Sequence, residues 1–152
     1  MKLRPAVSRD RASIELLIFP ILRSYGLEPS PESTDADLKD IESHYTENGG
    51  AFDVLVNGDA EILGTVAVHR TTGELCELRK MYLAPALRGQ GWGRKLLEHA
   101  LTKAGDLGYS RIWLETASSL TEAHRLYESY GFRTFEGPHC SDRCDFAMIR
   151  PL

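Results

Sequence analysis

The stretch from Leu78 to Leu101, LRKMYLAPALRGQGWGRKLLEHAL, decides how the chain is read. Gly89, Gly91 and Gly93 stand at alternate positions, with Arg88 before them and Arg94 after. Behind them Leu96, Leu97, Ala100, Leu101 and Ala104 keep helical spacing, which predicts one apolar face of a helix running to about Asp106. The first amides of a helix lack intrahelical acceptors and carry the positive end of its dipole, so they suit an anion. Glycines let the chain approach that anion and adopt positive φ. Gly89, Gly91 and Gly93 therefore read as a nest, with the amides from about Gln90 through Trp92 to Arg94 turned inward and Arg88 and Arg94 as donors of charge-assisted bonds to phosphate oxygens.

Two better-known glycine loops do not fit. In a dinucleotide fingerprint, G-x-G-x-x-G, counting from Gly89 places the last glycine on Arg94. A Walker loop needs Lys and then Ser or Thr after its glycine, whereas Gly93 is followed by Arg94, Lys95 and Leu96. A glycine turn needed only for close packing leaves the two arginines unexplained. Trp92 reads as the first apolar residue of the helix, covering Leu96, in preference to a stacking group.

Working outward, residues 74–83 form a strand closed by Pro85, and SRIWLET, residues 110–116, forms a buried strand after Gly108 ends the helix. Strand, helix and strand in succession predict a crossover between parallel neighbours. Upstream, AFDVLV and EILGTVAVHR flank the Asn57-Gly58 turn signal and extend this into an antiparallel meander. The N-terminal KLRPA is a short strand stopped by Pro5. A helix follows, capped by Ser8 or Asp10, with Ile14, Leu17, Ile18, Ile21 and Leu22 on one face and Pro20 expected to kink or divide it. Thr34 or Asp35 is expected to open a second helix carrying Leu38, Ile41 and Tyr45. Near the C-terminus a helix with Ala123, Leu126, Tyr127 and Tyr130 ends at Gly131, and FRTF and CDFAMIRPL supply two last strands.

The 152 residues suffice for one mixed α/β domain, and 42% apolar content argues against disorder. Lys and Arg total 18 against 22 Asp and Glu, a net charge of −4, so no nucleic-acid partner is expected. No run approaches the roughly 20 apolar residues of a membrane span, and no signal peptide is legible, so the expected location is cytoplasmic and no membrane partner is expected. Cys76, Cys140 and Cys144 are an odd, sparse set that fits a reducing compartment. Cys140 and Cys144 with His139 and Asp142 lack the usual zinc spacing, and no metal is expected.

The segment from Leu78 to Leu101 resembles the pyrophosphate-binding segment of the GNAT superfamily of N-acetyltransferases, whose signature is Q/R-x-x-G-x-G/A. Arg88, Gly91 and Gly93 match it. AHRLYESYGFR is similar to the family's later A-x-x-L-Y-x-x-x-G-F segment through Ala123, Leu126, Tyr127, Gly131 and Phe132. The two occur in the expected order with a helix and a strand between them, and the resemblance is firm over Glu74 to Phe132. It implies one N-acetyltransferase domain over residues 1–152. The implied acyl-CoA N-acyltransferase fold is a mostly antiparallel twisted sheet of about seven strands, splayed at a parallel pair and flanked by about four helices. It implies acetyl-CoA as donor, no metal, and a homodimer as a possible assembly. Main-chain groups of Met81 and Leu83 would meet the pantetheine arm, and the loop from Arg88 to Arg94 the pyrophosphate.

Acetyl transfer by direct attack needs an unprotonated amine, a donor to the carbonyl oxygen and a proton for the departing thiolate. A backbone N–H near Met81 or Tyr82 is the expected oxyanion donor. Tyr127, the motif tyrosine, is the candidate general acid; the alternative is a core ring with its hydroxyl bonded elsewhere. Glu77 is the candidate base, expected on the same strand face as Met81 and Leu83. The alternatives are an ion pair with Arg79, or His69 as base. Where many relatives have an asparagine seven residues before the tyrosine, this chain has Leu120, so that polar contact must come from Ser118, Ser119 or Thr121, or be absent.

The acceptor should be shaped by the first two helices, the loop around EPSPES and the last hairpin. These bring Glu28, Glu32, Asp35, Asp142 and Asp145 together with Arg79, Arg133 and Arg143. Acids would favour a polyamine, an aminoglycoside or a lysine; arginines would favour an amino acid carboxylate. A small-molecule amine is the expected acceptor. Rival readings are an enzyme of the same fold acting on a protein N-terminus or lysine, and a module that binds acyl-CoA without turnover.

Overall fold

A computed structural model of the chain describes residues 1–137 and 143–152. Seven strands of the described residues form one sheet: β1 (Lys2–Pro5), β2 (Ala51–Val56), β3 (Ile62–Arg70), β4 (Leu75–Leu83), β5 (Arg111–Thr116), β6 (Arg133–Phe135) and β7 (Phe146–Pro151). Their order is β1-β2-β3-β4-β5-β7-β6. Every neighbouring pair is antiparallel except β4 and β5, which are parallel. Among the described residues four α-helices accompany the sheet: α1 (Arg11–Ser24), the short α2 (Ile41–His44), α3 (Trp92–Asp106) and α4 (Thr121–Ser129).

The helices cover the two sheet faces with separate apolar clusters. On one face Ile14, Ile18 and Leu22 of α1 pack with Leu38, Ile41, Tyr45, Phe52 and Val54. On the other, Leu96, Leu97, Ala100 and Ala104 of α3 pack with Leu78, Ile112, Leu114 and Tyr127. The predicted apolar stripe of α3 is thus its buried side, and α3 ends at Asp106, just before Gly108 at φ +94°.

Three local expectations fail for identifiable reasons. Pro20 does not divide α1, which runs unbroken to Ser24. The carbonyl that Pro20 leaves without a helical donor belongs to Leu16, at an exposed position. Asp10 stands at the N-cap of α1 but does not cap it; its carboxylate accepts from Arg4 at 2.8 and 3.0 Å and from the Val7 N–H at 2.9 Å. The single helix expected from Thr34 is broken into a 3-10 turn at Ala36–Lys39, α2 and a further 3-10 turn at Thr46–Asn48. Asp35 is drawn away to partners distant in sequence, and Asp40, at φ −148°, accepts from the Ser43 N–H and caps α2 afresh.

Two irregularities in β4 shape everything near it. Its pairing with β5 covers only Leu75–Arg111, Cys76–Ile112 and Glu77–Trp113, after which the two strands part. On the other edge Thr65 faces Tyr82 and Ala67 faces Arg79, so Val66 opposes both Lys80 and Met81, a β-bulge. Lys80 has φ +52°, a conformation costing a non-glycine residue about 1–2 kcal/mol. It is held by a hydrogen bond from Thr65 Oγ1 to its carbonyl at 2.5 Å and by the ion pairs of its side chain.

Candidate active site

The site grows from the loop before α3. After a 3-10 turn at Pro85–Leu87, Gly89 and Gly91 take φ of +76° and +84°, and Gly91 caps α3 with no side-chain bond. The Lys95 N–H bonds the Gly91 carbonyl at 3.2 Å, so the amides of Trp92, Gly93 and Arg94 precede the helical ladder. A Cβ at Gly89 or Gly91 would meet nothing within 4 Å. Positive φ, and not tight packing, is what demands glycine there.

The flanking side chains divide their duties. Arg88 lies 5.7 Å from the Tyr25 ring centroid and walls a cavity of about 580 Å³ together with Gly89 and Gly93. Arg94 lies 6.0 Å from the centroid of Tyr130, and Gln90 donates to the Ala86 carbonyl at 3.0 Å. Trp92 packs on the α3 cluster, with the Lys95 ammonium 4.2 Å from its ring centroid. Gln90, Gly91, Trp92 and Arg94 are therefore not among the residues that wall the cavity.

From this loop the cavity runs along the parting of β4 and β5. Glu77, Met81, Tyr82 and Leu83 wall it from β4, Leu114 and Thr116 from β5, and Tyr127 from α4. The bulge overturns one expectation. Leu78, Met81 and Leu83 all lie with the α3 cluster, while Tyr82 packs with the α1 cluster. Glu77, between the α3-facing Cys76 and Leu78, points to the α1 side with Arg79, opposite to Met81 and Leu83.

Glu77 is buried, and the Arg79 Nε donates to its Oε1 at 2.7 Å. Burial raises the Glu77 carboxyl above its ordinary range, against the opposing pull of Arg79. Tyr127 is also buried, edge-on to Phe132 at 5.7 Å. Its phenol is pushed well up by burial, with the nearby Tyr82 and Cys144 adding to the effect, so it stays neutral at physiological pH. Tyr82 is raised to about 12, again mainly by burial. His69 does not wall the cavity; it sits edge-on to Tyr45 at 5.5 Å, and burial with Arg79 lowers it to about 4.

The far end of the cavity holds a charge cluster that sequence spacing does not announce. Asp35 accepts both arms of Arg143 at 2.7 and 2.9 Å, the Lys80 ammonium at 2.6 Å and the Ser30 N–H at 2.9 Å. Burial would raise this carboxyl, but Arg143 and Lys80 together hold it well below the usual range. Lys80 also stands 3.4 Å from Asp37 Oδ1, an ion pair without a hydrogen bond, and the Tyr45 hydroxyl donates to Asp37 Oδ2. Asp37, Lys80, Glu115 and His44 wall the cavity although none was singled out as a site residue from the sequence.

Several expected acceptor residues are elsewhere. Glu32 pairs with Lys39 at the surface, Arg133 is exposed on β6, and Asp145 accepts from the Ser118 N–H and hydroxyl at 2.8 and 2.6 Å. Ser118 is thus engaged away from Leu120, which itself walls the cavity. Trp113 lies in the core and donates to Thr71 Oγ1 at 2.8 Å. His139, Cys140 and Asp142 lie outside the described residues. Among the described residues no group of three or more His, Cys, Asp or Glu could hold a metal ion, and no helix is long and apolar enough to cross a membrane.

Known proteins resemble this chain in sequence and in fold. The acetyltransferase (GNAT) family matches residues 16–132. An uncharacterized N-acetyltransferase of Escherichia coli strain K12, YjgM, is 34% identical, over 99% of this chain and 94% of its own length. N-acetylaspartate synthetase from Xenopus tropicalis is 34% identical over 64% of this chain and 36% of its own. Among solved structures, a GNAT acetyltransferase from Staphylococcus aureus superposes with a TM-score of 0.92 at 22% identity, covering 99% and 98% of the two chains. A phosphinothricin acetyltransferase from Sinorhizobium meliloti, solved with AcCoA, has a TM-score of 0.76 at 22% identity, covering 99% and 88%. The glycine loop, the parted parallel strands and the motif tyrosine thus occur in a chain that belongs to the GNAT family and is an N-acetyltransferase.

Proposed function

We propose that residues 1–152 act as a single N-acetyltransferase domain that moves an acetyl group from acetyl-CoA to the primary amine of a small molecule. The observation that carries this is one cavity walled at once by Arg88 and Gly89 of the loop, by the part of β4 that has left β5, and by Glu77 and Tyr127. The residues present fit the donor: glycines at positive φ with open space at their Cβ positions, helix-start amides, and a strand edge without a strand partner. When bound, acetyl-CoA supplies an activated thioester.

The chain's own groups do the rest. The amides from Gly89 to Arg94, with Arg88, hold the diphosphate, and main-chain groups of Met81 and Leu83 pair with the arm in place of β5. A backbone N–H near Met81 or Tyr82 donates to the carbonyl oxygen as charge gathers there. Glu77, on the α1 side of β4, takes the proton of the amine, whose nitrogen forms the new N–C bond as the thioester C–S bond breaks. Tyr127 gives its proton to the departing sulfur, and both side chains recover their protonation from solvent. The relatives named N-acetylaspartate synthetases support a small-molecule acceptor.

Release of free thiol from acetyl-CoA over a broad panel of amines tests this reading. We expect amine-dependent release, and no release above background with any amine would refute it.

A further inference from the structure

Glu77 and Arg79 are the clearest recognition element in the acceptor end of the cavity. Both wall it, both lie on the α1 side of β4, and they hold opposite charges side by side at 2.7 Å. Three cations wall this end, but they are not equally available. Lys80 is 6% exposed and committed to Asp35 at 2.6 Å; Arg143 is 14% exposed with both arms on the same carboxylate. Arg79 is 29% exposed; it gives its Nε–H to Glu77 and also meets the Tyr45 hydroxyl, but it holds no carboxylate on both arms as Arg143 does. Its planar fork matches a carboxylate better than any other group there.

We propose that the acceptor is an α-amino acid, with its carboxylate on Arg79 and its amine at Glu77. This rests on the reading that the acceptor amine is deprotonated beside Glu77. An α-amino acid carries its two charges on substituents of one carbon, which complements a pair of opposite charges in contact on one strand face. A polyamine carries no carboxylate, so it would leave the Arg79 fork without a matching anion from the acceptor. Arg79 acts as a specificity residue, deciding which amine is accepted, and takes no part in moving protons. The bonds made and broken are those of the acetyl transfer described above.

The test is a thiol-release assay with matched acceptors: each α-amino acid, its α-carboxamide, and the amine left when the carboxylate is removed. We expect kcat/KM for the acid to exceed that for its partners by at least about tenfold, the scale of a hydrogen bond to a charged group. Arg79→Gln should lower that ratio about tenfold or more, mainly through acceptor KM, and Arg79→Lys should restore it only in part. The wild-type comparison stands even if the variants fold poorly. Equal or better turnover of the carboxamides and decarboxylated amines would overturn the inference while leaving the acetyltransferase reading intact. A preference for the acid that Arg79→Gln leaves unchanged would overturn the assignment to Arg79. Thiol release with no amine at all would overturn both readings.

Discussion

Glu77 and Met81, four residues apart on β4, face opposite sides of the sheet. Regular alternation would put them on one side; the extra residue at the Lys80 bulge reverses the order between them. The consequence is a division of labour along one strand. Met81 and Leu83 lie with the α3 cluster, near the glycine loop, while Glu77 and Arg79 look toward the first half of the chain. A strand without the bulge would place the side chains of Glu77 and Met81 on the same face.

Tyr127→Phe isolates the proposed proton donor. The ring is buried and its contact with Phe132 survives the change, so stability should move little. General acid catalysis contributes about 10²–10⁴-fold, and we expect kcat to fall within that range with donor affinity nearly unchanged. Steady-state kinetics beside calorimetric titration of acetyl-CoA would separate the two effects; unaltered kcat would remove Tyr127 from the chemistry.

Gly91→Val tests the loop. A Cβ there meets no neighbour within 4 Å but must hold φ +84°, so a folded protein should result with a stability loss of at least about 1–2 kcal/mol. The new side chain stands where the diphosphate is proposed to approach, and coenzyme A binding should be lost. Thermal unfolding and binding measured on the same sample would show whether affinity falls further than stability accounts for.

The pH profile of kcat/KM should report Glu77. As a base it must be unprotonated, so activity is lost on the acid side. Because burial raises its carboxyl, that limb should lie above the ordinary carboxylate value of about 4.3. Glu77→Gln should remove this limb together with most of the rate, whereas a limb that persists would assign it to another group.

The fold and the glycine loop before α3 were legible because their signals are local. Glycines before an apolar helical stripe, a turn at Asn57-Gly58 and a motif tyrosine four residues before Gly131 can each be read within a short window. What escaped depends on distant partners. Lys80 at positive φ carries no marker, since glycine or asparagine would be the usual sign, and the bulge it creates moved Glu77 to the other face. Asp35 read as a helix opener and an acceptor acid; its actual partners, Lys80 and Arg143, are 45 and 108 residues away. Those contacts broke the expected second helix and neutralised two residues that composition alone would assign to substrate.

That cluster makes its own prediction. Asp35→Asn leaves Lys80 and Arg143 without their shared carboxylate in a buried setting, which should cost about 3–5 kcal/mol. The folded Asp35 is held well below its unfolded value, so its contribution is full above about pH 4 and is lost as pH falls through the folded value. Denaturant titrations should therefore show a constant gap between wild type and variant from neutral pH down to about 4, narrowing only in stronger acid.

A crystal structure with acetyl-CoA bound is the most direct test of the whole assignment. We expect the diphosphate on the amides between Gly89 and Arg94 and the arm threaded between β4 and β5 past Met81, with the thioester beside Tyr127. A donor lodged away from the parted strands, with its phosphates touching none of those amides, would contradict it.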